Sequence, residues 1–458
     1  MLAVLSLPPA ALALYSGEFC VALSYALIAA GLAAAAWGGR NLPKTESIQS
    51  NEAIVVVGLA FVLTPVLMAI PLTVGGLAPD DALFESVSAI TTTGLSTLTT
   101  VEGMSSTFLF ERAWLQWCGG LGISVLSVAL LMGQHAAARR LANPLSDTSI
   151  ATTARTQARQ ILRVYIILTL AGTLALSLVL GDVFVPLVTM LSTLSTGGFS
   201  PFDASIAALP TSGAWIVTVF SFLGAVPLLL YHQVLERKPG RLIADPELRT
   251  LFMLVLLASA AVSLSLWWNL GFDPARAIQH GVMLGTSAQT TTGFSSTDVA
   301  ALDPTSKLLL MLSMFVGGGS GSTAGGIKLL RLLVILRVVQ FYLRRVAMPP
   351  HAVAQPRMSG QVLNREETDL ALLIAALFAM VIALSWLAFV AYGHPPLDAL
   401  FEVTSAVGTV GLSSGITGAD LEGPLKFVLC IDMLAGRLEA LALLVILYPA
   451  TWTGRRAG

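Results

Sequence analysis

The sequence predicts an all-α polytopic membrane protein built from four pseudo-repeats around one central axis, preceded by one or two extra N-terminal helices. Three observations predict it. Of 458 residues, 55% are hydrophobic and 11% charged, with a mean hydropathy of +0.81. Soluble chains carry about 25% charged residues, so this one cannot coat a water-facing surface. Long uncharged runs of the length needed to cross a bilayer, about 20 residues, recur from end to end. Between them, four Thr/Ser/Gly clusters fall at near-even spacing. The net charge of −1 gives no general attraction to polyanions, which argues against a nucleic-acid partner.

The runs cover 19–38, 53–76, 113–134, 161–181, 213–231, 250–270, 306–326, 369–392 and 425–450. Each is expected to be a helix, because lipid offers no partner to open backbone groups. The alternation of an outer-membrane barrel strand is absent. Residues 2–15 are apolar but short and hold Pro8-Pro9, a further short span. No Lys or Arg precedes Arg40, so the positive n-region of a signal peptide is missing.

Basic residues set the orientation. Arg139, Arg140, Arg155, Arg159 and Arg163 fill one connection; Arg237, Lys238, Arg241 and Arg249 fill another. Arg331, Arg337, Arg344, Arg345, Arg357 and Arg365 fill a third, and Arg455-Arg456 lie near the chain end. The connections between these, 77–107, 183–212 and 393–424, hold no Lys or Arg, and 271–307 holds only Arg276 and Lys307. By the positive-inside rule the basic set and the C-terminus are cytoplasmic. Cys20, Cys118 and Cys430 are far apart and read as small apolar residues in helices. His135, His232, His280, His351 and His394 have no metal-ligand spacing and read as interfacial or packed.

The poorly charged connections carry the repeat. Their clusters run Thr91-Thr92-Thr93-Gly94-Leu95-Ser96, Ser195-Thr196-Gly197-Gly198-Phe199-Ser200, Thr290-Thr291-Thr292-Gly293-Phe294-Ser295 and Gly408-Thr409-Val410-Gly411-Leu412-Ser413. Aligned on Gly94, Gly198, Gly293 and Gly411, every copy continues with Leu or Phe and then Ser, and the glycines are 104, 95 and 118 residues apart. Asp81-Ala82-Leu83-Phe84-Glu85 recurs as Asp398-Ala399-Leu400-Phe401-Glu402, and Ser88-Ala89 as Ser287-Ala288 and Ser405-Ala406. The expected division is 1–50 for the extra helices, then repeats at 51–140, 141–240, 241–350 and 351–458.

Asp81 to Thr92 would be roughly 18 Å long as helix, about half of a 30 Å hydrocarbon core. Each repeat therefore reads as helix, re-entrant half-helix, glycine loop, helix. Non-helical backbone at membrane depth requires protein or a water-filled cavity beside it, and four copies around one axis supply a central pore. Glycine lets carbonyls turn inward without an obstructing side chain, and rings of carbonyls can replace an ion's hydration shell. No Asp, Glu, Lys, Arg or His lies in the four clusters, which suits a monovalent cation better than a divalent one.

This series of loops resembles the pore loops of the Trk/Ktr/HKT superfamily of potassium transporters, and within it the bacterial TrkH type. Trp117-Cys118-Gly119-Gly120-Leu121-Gly122-Ile123, Asp245-Pro246-Glu247-Leu248-Arg249, the stretch from Gly317 to Lys328 and Gly436-Arg437-Leu438-Glu439 extend the likeness over nearly the whole chain from about residue 19. The resemblance implies potassium as the transported ion, in a filter formed by Thr92, Thr93, Gly94, Thr196, Gly197, Gly198, Thr291, Thr292, Gly293, Thr409, Val410 and Gly411. It also implies a homodimer in the lipid bilayer of the bacterial cytoplasmic membrane and a cytoplasmic nucleotide-binding partner of the TrkA type. In plant relatives a Ser at the first filter glycine accompanies sodium preference; Gly94 keeps the expectation at potassium.

Six glycines, Gly317, Gly318, Gly319, Gly321, Gly325 and Gly326, interleave with Ser320, Ser322 and Thr323. At about 1 kcal/mol each they oppose a continuous helix. GxxxG packing is one reading; an intramembrane loop is the other, and in the family this segment is the gate. Ile327 before Lys328 breaks the phosphate-binding pattern GxxxxGK[ST]. Arg437, inside the last apolar run, must pair or face a cavity. It either pairs with Asp432 or Glu439 for packing, or points below the loops and repels cations. Lys328, the last residue of this gate segment, and Arg331 read as a helix end anchored in the cytoplasm. No enzyme motif appears, so the chain is expected not to be an enzyme. The competing readings are a sodium-selective or cation-coupled carrier on this scaffold, and a hydrolase with Ser320 or Ser322 as nucleophile, which lacks a nearby base other than Lys328.

Overall fold

The computed structural model describes residues 2–41, 50–142, 150–235, 245–347, 349, 355–358 and 361–448. Arg237, Lys238, Arg241, His351, Arg455 and Arg456 lie outside the described residues, as do the side chains of His135, Arg139, Arg140 and Arg155. The chain is helical apart from loops, short 3-10 turns and a small antiparallel pair, Arg357–Met358 with Gln361–Val362.

Before the repeats come α1 (Leu2–Leu5), α2 (Leu7–Tyr15) and α3 (Phe19–Gly38). The first repeat contains α4 (Ser50–Val74), the short α5 (Pro79–Ile90) and α6 (Ser106–Ala142). The second contains α7 (Ile150–Leu180), the short α8 (Phe184–Leu194), α9 (Thr211–Ala225) and α10 (Leu228–Leu235). The third contains α11 (Pro246–Leu270), the short α12 (Pro274–Gln289), α13 (Pro304–Phe315) and α14 (Leu329–Arg345). The fourth contains α15 (Arg365–Ala391), the short α16 (Pro396–Val407), α17 (Gly423–Arg437) and α18 (Leu441–Leu447).

Local chemistry sets the helix starts. Proline opens α5, α11, α12, α13 and α16, where its missing N–H costs nothing. Asp245, Asp273 and Asp303 cap α11, α12 and α13 through their carboxylates.

Packing closes the repeats on themselves. Each short helix sits between its own flanking helices and also touches the helix that follows the loop of the preceding repeat: α8 against α6, α12 against α9, α16 against α13, and α5 against α17. The last of these contacts joins the fourth repeat back to the first. The N-terminal helices stand outside this circuit, α3 on α4 and α2 on α6. The Trp114 indole donates to Leu5 O (2.9 Å), and Glu18 accepts from Thr107 (3.2 Å).

Among the described residues, five helices are long and apolar enough to cross a membrane: those at 19–38, 55–74, 156–180, 246–270 and 365–391. The run at 113–134 lies within α6. The run at 306–326 leaves its helix at Phe315, ahead of the glycines that oppose helix there. Two others correct the expectation of unbroken spans: 213–231 breaks at Val226-Pro227 and 425–450 at Leu438–Ala440. Pro227 cannot donate to Leu223 and ends α9. At the last break Glu439 and Ala440 take positive φ, 60° and 50°, without being glycine.

One glycine per repeat, 25 or 26 positions after the loop glycine, explains the tight packing: Gly119, Gly224, Gly318 and Gly436. A Cβ on Gly119, Gly224 or Gly436 would press on the carbonyl of Ile90, Leu194 or Val407, each at the last turn of a short helix. In the third repeat the same position, Gly318, has left the helix altogether. Gly119→Ala should therefore lower the thermal unfolding midpoint in detergent, at an overpacking cost of about 1–3 kcal/mol. Gly31→Ala, in α3 with nothing within 4 Å of the added methyl, should be neutral or stabilising. Equal behaviour of the two variants would contradict this packing.

Candidate functional site

The four short helices end alike. Thr92 donates its N–H to Ala89 O (3.0 Å) and Thr93 to Ser88 O (2.9 Å), the bond pair of a Schellman cap. The same pair closes α8, α12 and α16. The left-handed residue at each cap is a threonine: Thr92, Thr196, Thr291 and Thr409 have φ of 54°, 53°, 54° and 49°. A β-branched residue there costs about 1–3 kcal/mol and persists only where the surroundings over-determine it. All four threonines are fully buried.

Two residues on, Gly94, Gly198, Gly293 and Gly411 also take positive φ, between 77° and 93°. A Cβ on Gly94 would overlap Gly197 O; on Gly198, Thr292 O; on Gly293, Val410 O; on Gly411, Thr93 O. Each loop thus abuts the next and the fourth abuts the first. This circuit brings all twelve candidate loop residues together, and it tolerates no side chain at its joints.

The loops are held from behind by different means. In loops 1 and 4 Ser88 and Ser405 accept the N–H of Gly94 and Gly411 at 3.0 Å. Buried Glu85 accepts from Ser96 Oγ (2.6 Å) and Thr97 N–H (3.1 Å) and pairs with buried Arg112 at 2.8 Å. Glu402 accepts from Ser413 Oγ (2.8 Å) and from the N–H groups of Ser414 (2.8 Å) and Thr417 (3.1 Å). Loop 2 is held by Gln116 of α6, whose Nε2 donates to Gly197 O (2.5 Å) and whose Oε1 accepts from Phe199 N–H (3.3 Å). In loop 3 Ser205 accepts from Ser295 N–H (3.2 Å), and His280 lies 3.1 Å from Ser296.

The glycine-rich segment 316–328 folds back on itself: Gly317 N–H donates to Ile327 O (3.1 Å) and Ile327 N–H to Phe315 O (3.2 Å). It lies against the deep ends of the short helices. Gly325 N–H donates to Thr291 Oγ1 (2.7 Å), and a Cβ on Gly325 would meet Thr409 Oγ1 and Gly408 O. Thr323 Oγ1 is 2.9 Å from both Leu194 O and Gly224 O. Glu247 accepts from Ser320 N–H at 2.5 Å.

Arg437, fully buried, donates to Thr323 O (2.8 Å) and Gly119 O (3.4 Å). Neither carboxylate considered as its partner takes it. Asp432 accepts from Ser385 (2.7 Å), while Glu439 takes Arg331 in two bonds of 2.6 and 2.5 Å. Lys328 stands at the start of α14 and is buried against the segment rather than free in the cytoplasm; its ammonium donates to Ala324 O and, at 3.5 Å, to Ser322 O. The backbone around residues 322–324 is not helical, which leaves carbonyls for it to bind.

At the opposite end, the two lysines in a region poor in basic residues are internal clamps. Lys307 reaches Asp398 (2.7 Å), and Lys426 reaches Asp80 (3.0 Å) and Asp81 (2.7 Å). Asp203 ties the loop of the second repeat to the first, accepting from Val101 N–H (2.6 Å) and Thr100 Oγ1 (2.7 Å). Among the described residues, no group of three or more His, Cys, Asp or Glu could hold a metal.

Sequence reasoning assigned no role to Gln116, Arg112 or Glu247, whereas the threonine two places before each loop glycine was already among the expected filter residues. Gln116 had an indirect signal, since Gly197 stands where the other copies carry Thr93, Thr292 and Val410.

Comparison with known proteins agrees with this architecture. Residues 27–451 match the family model TrkH, described as a cation transport protein. The Trk system potassium uptake protein TrkH of Salmonella typhimurium is 29% identical over 93% of this chain and 90% of its own length. The potassium uptake protein TrkI of Halomonas elongata is 32% identical over 89% of this chain and 85% of its own. The crystal structure of the potassium transporter TrkH from Vibrio parahaemolyticus superposes with a TM-score of 0.87 at 28% identity, covering 98% of this chain and 96% of that one.

The N–H of Val101 and the hydroxyl of Thr100 hold the Asp203 carboxyl below its usual range. A lowered folded value means that the tie stabilises fully above about pH 4, the unfolded value, and is lost as pH falls through the folded one. Asp203→Asn should thus lower the unfolding midpoint at pH 7, and the gap to the parent protein should close on acidification below about pH 4. A gap that is independent of pH would sink the assignment.

Proposed function

This chain belongs to the TrkH family of cation transport proteins, and we propose on that premise that it is the membrane subunit of a Trk-type potassium uptake system. The observation that carries the proposal is the closed circuit of four uncharged loops, joined at Gly94, Gly198, Gly293 and Gly411. Peptide carbonyls gathered on one axis replace the hydration shell of a monovalent cation. The short helices add the partial negative charge of their C-terminal ends, directed at the same place. Thr92 and Thr409 carry buried hydroxyls with no protein partner, which supports their facing the ion path. The potassium-named relatives at 29% and 32% identity support potassium as the ion.

The glycine-rich segment is the gate in this reading. It crosses the deep side of the circuit, touching loops 3 and 4 through Gly325 and the second repeat through Thr323. Residues 317–323, with Gly325, Gly326 and Lys328, would move together on opening. Arg437 holds the segment shut through Thr323 O and places a positive charge beside the path, where a low dielectric makes it a strong barrier to cations. The basic face of the chain is cytoplasmic, and there a nucleotide-binding subunit of the TrkA type would dock on a homodimer of this protein in the bacterial cytoplasmic membrane.

Rubidium and sodium uptake into proteoliposomes tests both halves of the proposal. Gly94→Ser places a side chain at the joint with Gly197 O and should lower the rubidium-to-sodium ratio by about tenfold, equivalent to about 1.4 kcal/mol. An unchanged ratio contradicts the filter, and sodium preferred by the parent protein would indicate a sodium carrier on this scaffold. Arg437→Ala should raise flux several-fold by removing roughly 1 kcal/mol or more of barrier. Unchanged flux contradicts the gate.

A further inference from the structure

The joint between loops 1 and 2 differs from the other three. At the position before the loop glycine, loops 1, 3 and 4 carry Thr93, Thr292 and Val410, whereas loop 2 carries Gly197. The space that a side chain on Gly197 would fill is occupied: the three atoms nearest to an added Cβ are Cδ, Oε1 and Nε2 of Gln116. Gln116 comes from α6, in the neighbouring repeat, and is fully buried. Its Nε2 donates to Gly197 O at 2.5 Å and its Oε1 accepts from Phe199 N–H at 3.3 Å, so one carboxamide grips loop 2 on both sides of Gly198.

Gly197 O is also the oxygen against which Gly94 packs. Among the described residues its counterparts, Thr93 O, Thr292 O and Val410 O, accept no hydrogen bond from protein. Loop 2, like loop 3, lacks the fixtures of loops 1 and 4: Thr189 and Leu284 stand where those carry Glu85 and Glu402, and Ser192 and Ser287, the counterparts of Ser88, have buried hydroxyls with no partner.

We propose that Gln116 is a positioning and specificity-determining residue of the ion path, replacing in trans the missing side chain of Gly197 and fixing the direction of its carbonyl. The proposal rests on reading the loop carbonyls as the ion's ligands. With one lone pair of Gly197 O engaged by an amide, the four-carbonyl ring is asymmetric. Its second-loop member is held in place, and its field at the axis is weaker than that of the other three.

Gln116→Met keeps the length and bulk of the side chain and removes both hydrogen bonds. In proteoliposomes it should raise the KM for rubidium about fivefold, lower the rubidium-to-sodium ratio by a similar factor and change the limiting rate less, the scale of one buried hydrogen bond. If Gln116→Met yields no protein, Gln116→Leu carries the same expectation, because it too can neither donate to Gly197 O nor accept from Phe199 N–H. Restoring a side chain to the loop, as Gly197→Thr in a Gln116→Ala background, should recover selectivity relative to Gln116→Ala alone. A parental KM and ratio in Gln116→Met, or no recovery in the double variant, overturns the inference. Gly94→Ser measured alongside separates the readings. If it shifts the ratio while Gln116→Met does not, only this inference falls; if neither shifts it, the filter reading falls too.

Discussion

The structure depends on a contact distance that no side chain can share. Four glycine α-carbons each lie against a peptide carbonyl of the next loop, from Gly94 on Gly197 round to Gly411 on Thr93. Because the contact is cyclic, no loop can shift without opening two joints. The strain of four left-handed threonines is held by that closure. A Schellman cap turns each short helix into its loop, and the threonine at the turn is buried where it cannot relax.

Everything behind the circuit holds a loop in place, and the means differ from repeat to repeat. Loops 1 and 4 use a glutamate and a serine on the short helix itself, with Arg112 neutralising Glu85. Loop 2 relies on a glutamine from another repeat, and loop 3 on Ser205 and His280. A pseudo-fourfold backbone is therefore carried by side chains that are not fourfold. Buried polar groups must be satisfied one by one, and each repeat found its own partners. The deep side is unequal as well. Three of the four helices that follow the loops break at that depth, and α6 alone runs through. The breaks supply the free carbonyls that Arg437 and Lys328 bind.

Much of this was legible in the sequence. Long uncharged runs can only be helices in lipid, and the Gly-(Leu/Phe)-Ser series marked the loops because only glycine fits the joints. The six glycines of 317–326 told of a non-helical segment through helix propensity alone. Other features were illegible because their signals are ambiguous one residue at a time. Val226-Pro227 and Leu438–Ala440 sit in runs whose hydropathy is that of a span, since breaking a helix need not add charge. Lys328 read as a cytoplasmic helix end because sequence does not show which carbonyls a loop leaves free. Glu247 stood only within the string from Asp245 to Arg249, and nothing local marked it as the partner of Ser320 N–H.

By itself the sequence determined the solvent, the number of repeats and the chemical neutrality of the loops, because these follow from composition and period. The tertiary structure decided which groups meet: Gln116 with Gly197, Arg437 with Thr323, Lys426 with Asp80 and Asp81. Those pairings join residues between 81 and 346 positions apart, and no local propensity encodes a partner at such separation. They arise only when the circuit closes, which brings the fourth repeat onto the first and sets each buried donor beside acceptors from distant parts of the chain.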